Sequence, residues 1–556
     1  MASLAAYTGI LGTQNAAHFL RRTTFGPTQA KIDEFALKTV SEALTDIMQT
    51  LVVPDAPIDP ETPGENWLPV PEEGVNSDDD QLFEYFKAWF MELIRTTGMN
   101  MTEKMTFFWH AFLPADHTLI RNATSLYYQN ALYRIYALGN VKELLTKVCA
   151  DNAMTQYIDN TLNDKINPNE NFARELLELY TIGKGPQVGP EDYTNYTEDD
   201  VKEAARVLTG IKHNFNFDTI DPETQLPRAK VSLNDQLQAV RHDAESKTFS
   251  ESFGNRVIEL DPNDTDLMLD GMATEAGFFD EIDQLMTMIY DQDETARFFC
   301  RRLYRFFVYY KITEEIETDI IIPLATTLKN SNYDVIPVLE QLFSSEHFFD
   351  INNSATTEDN IGAFIKSPMD LIMGTFRFFN ISMPTDPADV ADLYQVVYSG
   401  GVSRMLIDQG LNFYTPIDVA GYPPYHQVPA YNRNWISPNS LAHRYNFINH
   451  LINGKENEDG IMLYQLDIVE YVENNISNAS DSSILVHALT DYMFTKPIPP
   501  ERFDFFLNDV LLDTLSAQNW TNEWNDYLGT GDDTGVRSQL EGLVIAIVQT
   551  PEYQLS

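Results

Sequence analysis

A helical repeat of apolar residues constrains this chain more than any other feature. It is clearest in INPNENFARELLELYTIGKG, residues 166–185. At about 100° per residue, Phe172, Ala173, Leu176, Leu177, Leu179 and Tyr180 fill one face, and Asn171, Arg174, Glu175 and Glu178 fill the other. Asn167 suits an N-cap, Pro168 the first helical position and Glu170 the third, a capping-box arrangement. Gly183 and Gly185 supply the stop. YTEDDVKEAARVLTG repeats the logic, with Thr197 as cap, an acidic first turn and Gly210 as stop. The period recurs in QLFEYFKAWFMELIRTTG, MTEKMTFFWHAFL, NVKELLTKVCADNAM, ARFFCRRLYRFFVYYKI and SPMDLIMGTFRFF. These segments predict a mainly α fold: a large multi-helix assembly with long Pro-rich loops and at most a small β-hairpin region.

The interruptions mark the organisation. Between Leu51 and Asp80, Pro54, Pro57, Pro60, Pro63, Pro69 and Pro71 punctuate acidic residues, which reads as an extended surface excursion. Residues 214–266 are irregular, and short pieces such as RVIEL permit a small hairpin. NNSATTEDN, from Asn352, is the best boundary, dividing the chain into regions 1–350 and 351–556 that pack as one unit. A Pro- and Tyr-rich stretch from Tyr414 to Pro438 breaks the helices of the second region.

Composition closes several functional classes. The chain holds 83 acidic against 37 basic residues, a net charge of −46, so it cannot offer phosphate backbones the basic surface that nucleic-acid binding requires. No apolar run approaches the roughly 18–20 residues of a spanning helix, so no integral membrane segment is expected. The first residues hold no basic region followed by an apolar one; the residues alone leave open a cytoplasmic setting or a removed export signal. Two cysteines, Cys149 and Cys300, exclude a disulfide scaffold and a thiolate zinc site. Both sit in apolar helical stretches and read as buried free thiols, with a single bridge between them as the alternative. There is no P-loop, no dinucleotide fingerprint and no GxSxG elbow, so no nucleotide cofactor is expected.

Five groups of residues are candidates for chemistry. His110 lies in the aromatic helix MTFFWHAFL, as a core or cleft histidine or as a base or metal ligand. His117 follows seven residues later, as His450 follows His443, and about 10 Å along a helix is too far for one metal. Arg174 and Glu175 form either an ion-pair face or the lining of a cleft, with Arg174 holding an anion and Glu175 acting as base or ligand. His242, Asp243 and Lys247 join an imidazole, a carboxylate and an amine in one loop. Arg301, Arg302 and Arg305 form the dense basic cluster, which pairing with nearby acids explains. DPNDTD at 261–266 lacks the glycine and closing glutamate of an EF-hand and supports only weak calcium binding.

HFLRRTTFGPT, NENFARELLELYTIG, YTEDDVKEAARVLTG, HDAESK, SPMDLIM and QTPEYQ occur in this order between His18 and Gln554. Together they resemble the bacterial family named only as domain of unknown function 1800. The resemblance implies a largely helical fold and a periplasmic, cell-surface or extracellular setting. It also implies a partner from the domain of unknown function 1501 family. Two departures stand out: the chain has Trp109-His110-Ala111-Phe112 where the family often places a second histidine, and Gly421-Tyr422 where it has Gly-Trp. The expected function is an exported helical scaffold acting with a partner protein. The alternative is a metal-assisted hydrolase or oxidoreductase that gathers His110, Arg174, Glu175, His242 and Asp243, with a divalent metal of unspecified identity.

Overall fold

A computed structural model describes residues 3–49, 53–60, 79–190, 192–351 and 361–556. Most of the Pro-rich excursion and the boundary at Asn352 lie outside them. Residues 53–60 contain no helix, and the Asp79–Thr96 helix starts where the excursion ends.

The protein is mainly α, as the periodicity predicts. Asp79–Thr96 packs on Asp392–Val402, Thr102–Phe112 on Ala123–Ile135, and Asp293–Phe307 on Ile322–Asn330. The sheet content among the described residues is four two-stranded antiparallel ladders. Three of these lie between Ile211 and Ala273, and RVIEL supplies Val257–Ile258, paired with Lys247–Thr248. No helix among the described residues is long and apolar enough to cross a membrane. Cys149 and Cys300 are free and buried, and burial pushes the Cys149 thiol up to about 12.

Local chemistry sets most boundaries. Thr197 caps Glu198–Val207 with a full capping box, in which Asp200 binds the Thr197 amide at 2.8 Å. Gly210 ends this segment at φ +97°, and a Cβ there would stand 2.8 Å from the His242 backbone nitrogen. The NENFARELLEL helix departs from expectation. It begins at Asn171, not beside Asn167, because tertiary bonds take the residues before it. Asn167 closes a turn on Asp164, and the Asn169 amide is bound by Asn163 Oδ1 at 2.9 Å. Glu170 therefore caps nothing and pairs with Arg174 instead. After Glu175 the helix widens into a π-helix, Leu176–Thr181.

The core is one continuous body to which both ends of the chain contribute. Arg22 of HFLRRTTFGPT donates to the carbonyls of Val308 at 3.1 Å and Ser556 at 2.7 Å. Arg377 donates to the carbonyls of Gly26, Ile94 and Thr97 at 2.6–2.8 Å. Lys104 pairs with Asp370 of SPMDLIM, and Lys366 donates to the Tyr553 carbonyl at 2.7 Å. Buried cations here are satisfied largely by backbone oxygens, which meets their hydrogen-bond demand.

Candidate functional site

The structure places the sequence candidates in three groups whose partners do not overlap. His110 is fully buried and its Nε2 lies 2.9 Å from the Tyr422 hydroxyl. Its ring packs 3.9 Å from Tyr414 and 4.8 Å from Phe413, centroid to centroid, and Nδ1 has no protein partner. Burial depresses the imidazole to about 3, so it is neutral at all physiological pH.

His242 is equally buried, in a different network. Its Nδ1 lies 3.0 Å from the Thr209 carbonyl and its Nε2 lies 3.0 Å from Glu281 Oε2. Lys247 binds the same carboxylate oxygen, with both side chains inaccessible. Asp243 turns outward to Arg206 at 2.7 Å. This triad fastens the HDAESK loop to the Glu275–Asp291 helix.

Arg174 holds Glu198 through two bonds of 2.8 and 2.5 Å, and Glu170 at 3.1 Å. Its fork is filled by carboxylates of its own chain. Glu175, one residue on, has a different environment. Burial raises its carboxyl to about 7, and Glu178 and Asp418 push the same way against Lys184 and Arg174. It sits at the last α-helical position before the π-helix, an irregularity often found at functional sites.

The group next to Glu175 that sequence reasoning missed is the stretch after Tyr414. It is pinned at several points: the Tyr180 hydroxyl donates to the Val419 carbonyl at 3.3 Å and Tyr157 to the Asp418 carbonyl at 3.4 Å. Tyr422 is held by His110, and a Cβ on Gly421 would stand 3.1 Å from the Ala111 carbonyl, so the chain passes too closely there for a side chain. His426 follows in the short Pro423–His426 helix. Its buried Nε2 has no hydrogen bond, with Asp418 Oδ1 3.7 Å away. Burial lowers this imidazole, Asp418 opposes the shift and Arg302 adds to it.

Arg302 and Arg305 face this stretch from the Asp293–Phe307 helix. The pairing expected of the basic cluster holds for Arg301, which binds Glu294 at 2.5 Å and Glu317 at 2.6 Å. It fails for the other two, which rest on aromatic faces. The Arg302 guanidinium lies 5.4 Å from the Phe112 centroid, and that of Arg305 lies 4.9 Å from Tyr431. Local spacing carried no signal for this difference: none of the three arginines has an acidic residue three or four positions away, and Arg301 reaches Glu294 and Glu317 from farther along the chain. Asp418 thus neighbours both Glu175 and His426, Arg302 neighbours His426 and Tyr180, and Arg305 rests on Tyr431, so these groups gather along one stretch of chain.

A cation could find a different set of donors. Asp79, Asp80 and His117 bring ligand atoms within 4.8 Å of one another. His117 Nε2 lies 2.8 Å from Asp79 Oδ2 and its ring stacks on Phe83 at 3.7 Å. Asp79 already accepts the Ala123 amide at 2.7 Å, so the arrangement also serves as a structural ion pair.

A whole-chain helical assembly built from these motifs defines a class, and the comparison with known families agrees. The model of the family described as Protein of unknown function (DUF1800) matches residues 18–555, and the chain belongs to that family. No curated protein and no solved structure matches it.

Proposed function

We propose that the chain is an enzyme whose active site lies where Glu175 meets the 414–435 stretch, with Glu175 as general acid–base. One observation carries the reading: a carboxyl raised to about 7 by burial and two neighbouring carboxylates. A group that exchanges its proton near neutrality is what general acid–base chemistry requires. Tyr157 and Tyr180 hold the facing stretch in place, and His426 adds an imidazole beside Asp418 whose Nε2 has no hydrogen bond. Hydrolysis of a small organic substrate is the reaction class that fits this set. A periplasmic or extracellular setting comes from the family resemblance alone.

One observation supports partner binding as a second reading. The outer side of the same stretch exposes Ile417 at 76% and Val428 at 71%, apolar groups suited to contact with another protein. A protein of the domain of unknown function 1501 family is the partner the resemblance suggests.

A panel of chromogenic esters, amides, phosphoesters and glycosides tests the enzyme reading. Any turnover should fall at least 100-fold in Glu175→Gln, with a wild-type pH profile breaking near the Glu175 value of about 7. Turnover that survives Glu175→Gln would contradict it.

A further inference from the structure

We infer that Arg302 and Arg305 form a binding site for an oxyanion, the carboxylate or tetrahedral oxyanion group of a small molecule held against the Pro/Tyr stretch. The inference rests on the enzyme reading of the same stretch and deepens it by naming the group its substrate carries.

The first argument is one of supply. With 83 acidic and 37 basic residues, almost any arginine can find a carboxylate. Arg174 binds Glu170 and Glu198, Arg206 binds Glu203 and Asp243, and Arg301 binds Glu294 and Glu317. Arg302 and Arg305, three positions apart on one helix face, have neither an ion pair nor a guanidinium hydrogen bond to any described residue. Nor do they resemble the structural arginines of the core, because Arg22 and Arg377 spend their donors on carbonyl oxygens.

The second argument is geometric. Phe112 and Phe298 lie 5.4 and 5.5 Å from the Arg302 guanidinium carbon, and Tyr431 lies 4.9 Å from that of Arg305. An aromatic face holds a guanidinium by its π-cloud and leaves the planar N–H fork free for a bidentate acceptor. Arg302 also borders a cavity of about 10 Å³ lined by Phe108, Ala111, Phe112, Phe306 and Tyr425, room for no more than a water, so the anion would sit outside it against the guanidinium edge. Both arginines are half-buried, so a solute can reach them.

The third argument is hydrogen-bond accounting. Arg305 Nε is buried without a protein partner, as is His426 Nε2. Asn432, beside Tyr431 and 97% buried by its 3% exposure, has neither amide atom bonded. Arg305 Nε and His426 Nε2 therefore keep open hydrogen-bond capacity beside the two arginines, which a ligand would use, since native interiors pair nearly all such groups. A favourable helix-end charge for Arg305 does not account for them, because it binds no carbonyl of the last turn. Burial and the neighbouring Arg305 lower Arg302 to about 10, so it stays charged at neutral pH, and an anion would relieve the repulsion.

Calorimetric titration of the full chain at pH 7 with sulfate, and separately with succinate, tests the site. Wild type should bind at least one with a millimolar or tighter Kd, and the tighter one names the substrate group. Arg302→Gln and Arg305→Gln should each weaken that binding at least tenfold, while Arg301→Gln leaves it within twofold. Should Arg302→Gln fail to fold, Arg302→Lys keeps the charge without the fork and should still weaken binding at least threefold. Absence of binding by both anions, or binding indifferent to these substitutions, would overturn the inference. Glu175→Gln should retain anion binding, so failure of the anion site and failure of the Glu175 reading are separable.

Discussion

At the residue scale Glu175 stands out, its folded carboxyl raised by burial to about 7 against about 4.3 for an unperturbed glutamate. A carboxyl raised on folding stabilises fully below the unfolded value, and that contribution is lost as pH rises through the folded one. The window is therefore pH 4.3 to about 7. Glu175→Gln should gain on wild type by about 1–2 kcal/mol between pH 5 and pH 8, after discounting for partial solvent screening. Urea unfolding at the two pH values measures it; equal differences at both would show that the carboxyl is not perturbed. Glu175 was legible because it stands on the polar face of a strongly patterned helix. Asp418 and His426 were not, because they lie some 240 residues away in an irregular stretch whose course depends on Gly421, Tyr157 and Tyr180.

Elements were legible where their determinants are local and not where tertiary bonds compete. Thr197 and Asp200 cap their helix from positions three apart, and nothing distant intervenes. Asn167 and Pro168 have equally good capping chemistry, yet the Arg241 side chain binds Asp164 at 2.9 Å and Asn163 takes the Asn169 amide, holding this segment out of the helix. The irregular region 214–266 acquires its order the same way, through Glu281 on the Glu275–Asp291 helix that follows it. His242 and Lys247 both lean on that one buried carboxylate. Removing one member of a buried ionic group costs about 3–5 kcal/mol, because the remaining charge stays desolvated. Glu281→Gln should lower stability by that amount, read from the urea midpoint, with native-state hydrogen exchange rising first around the 247–258 ladder. A loss below about 1 kcal/mol would mean that the triad is not an anchor.

At the scale of the whole molecule, mainly α architecture followed directly from the period of the apolar residues. Convergence did not. HFLRRTTFGPT, SPMDLIM and QTPEYQ lie hundreds of residues apart and meet around Arg22, Lys366, Asp370 and Tyr553. The same body packs the helix that carries Glu175, the Asp293–Phe307 helix and the Pro/Tyr stretch against one another. The central claim is that Glu175 and the unpaired arginines serve one site there. Sulfate does not titrate between pH 6 and 8, whereas Glu175 ionises across that range and lies beside Tyr180, which also neighbours Arg302. His426, lowered by burial, and Glu178, Asp418, Arg174 and Lys184 share the surroundings, so the Glu175→Gln variant is the control that isolates the Glu175 charge. The most direct measurement is therefore the sulfate affinity of wild type and Glu175→Gln at pH 6, 7 and 8. The account predicts a fall of about threefold in wild type as Glu175 ionises, and none in the variant. An affinity with the same pH dependence in both proteins would contradict it.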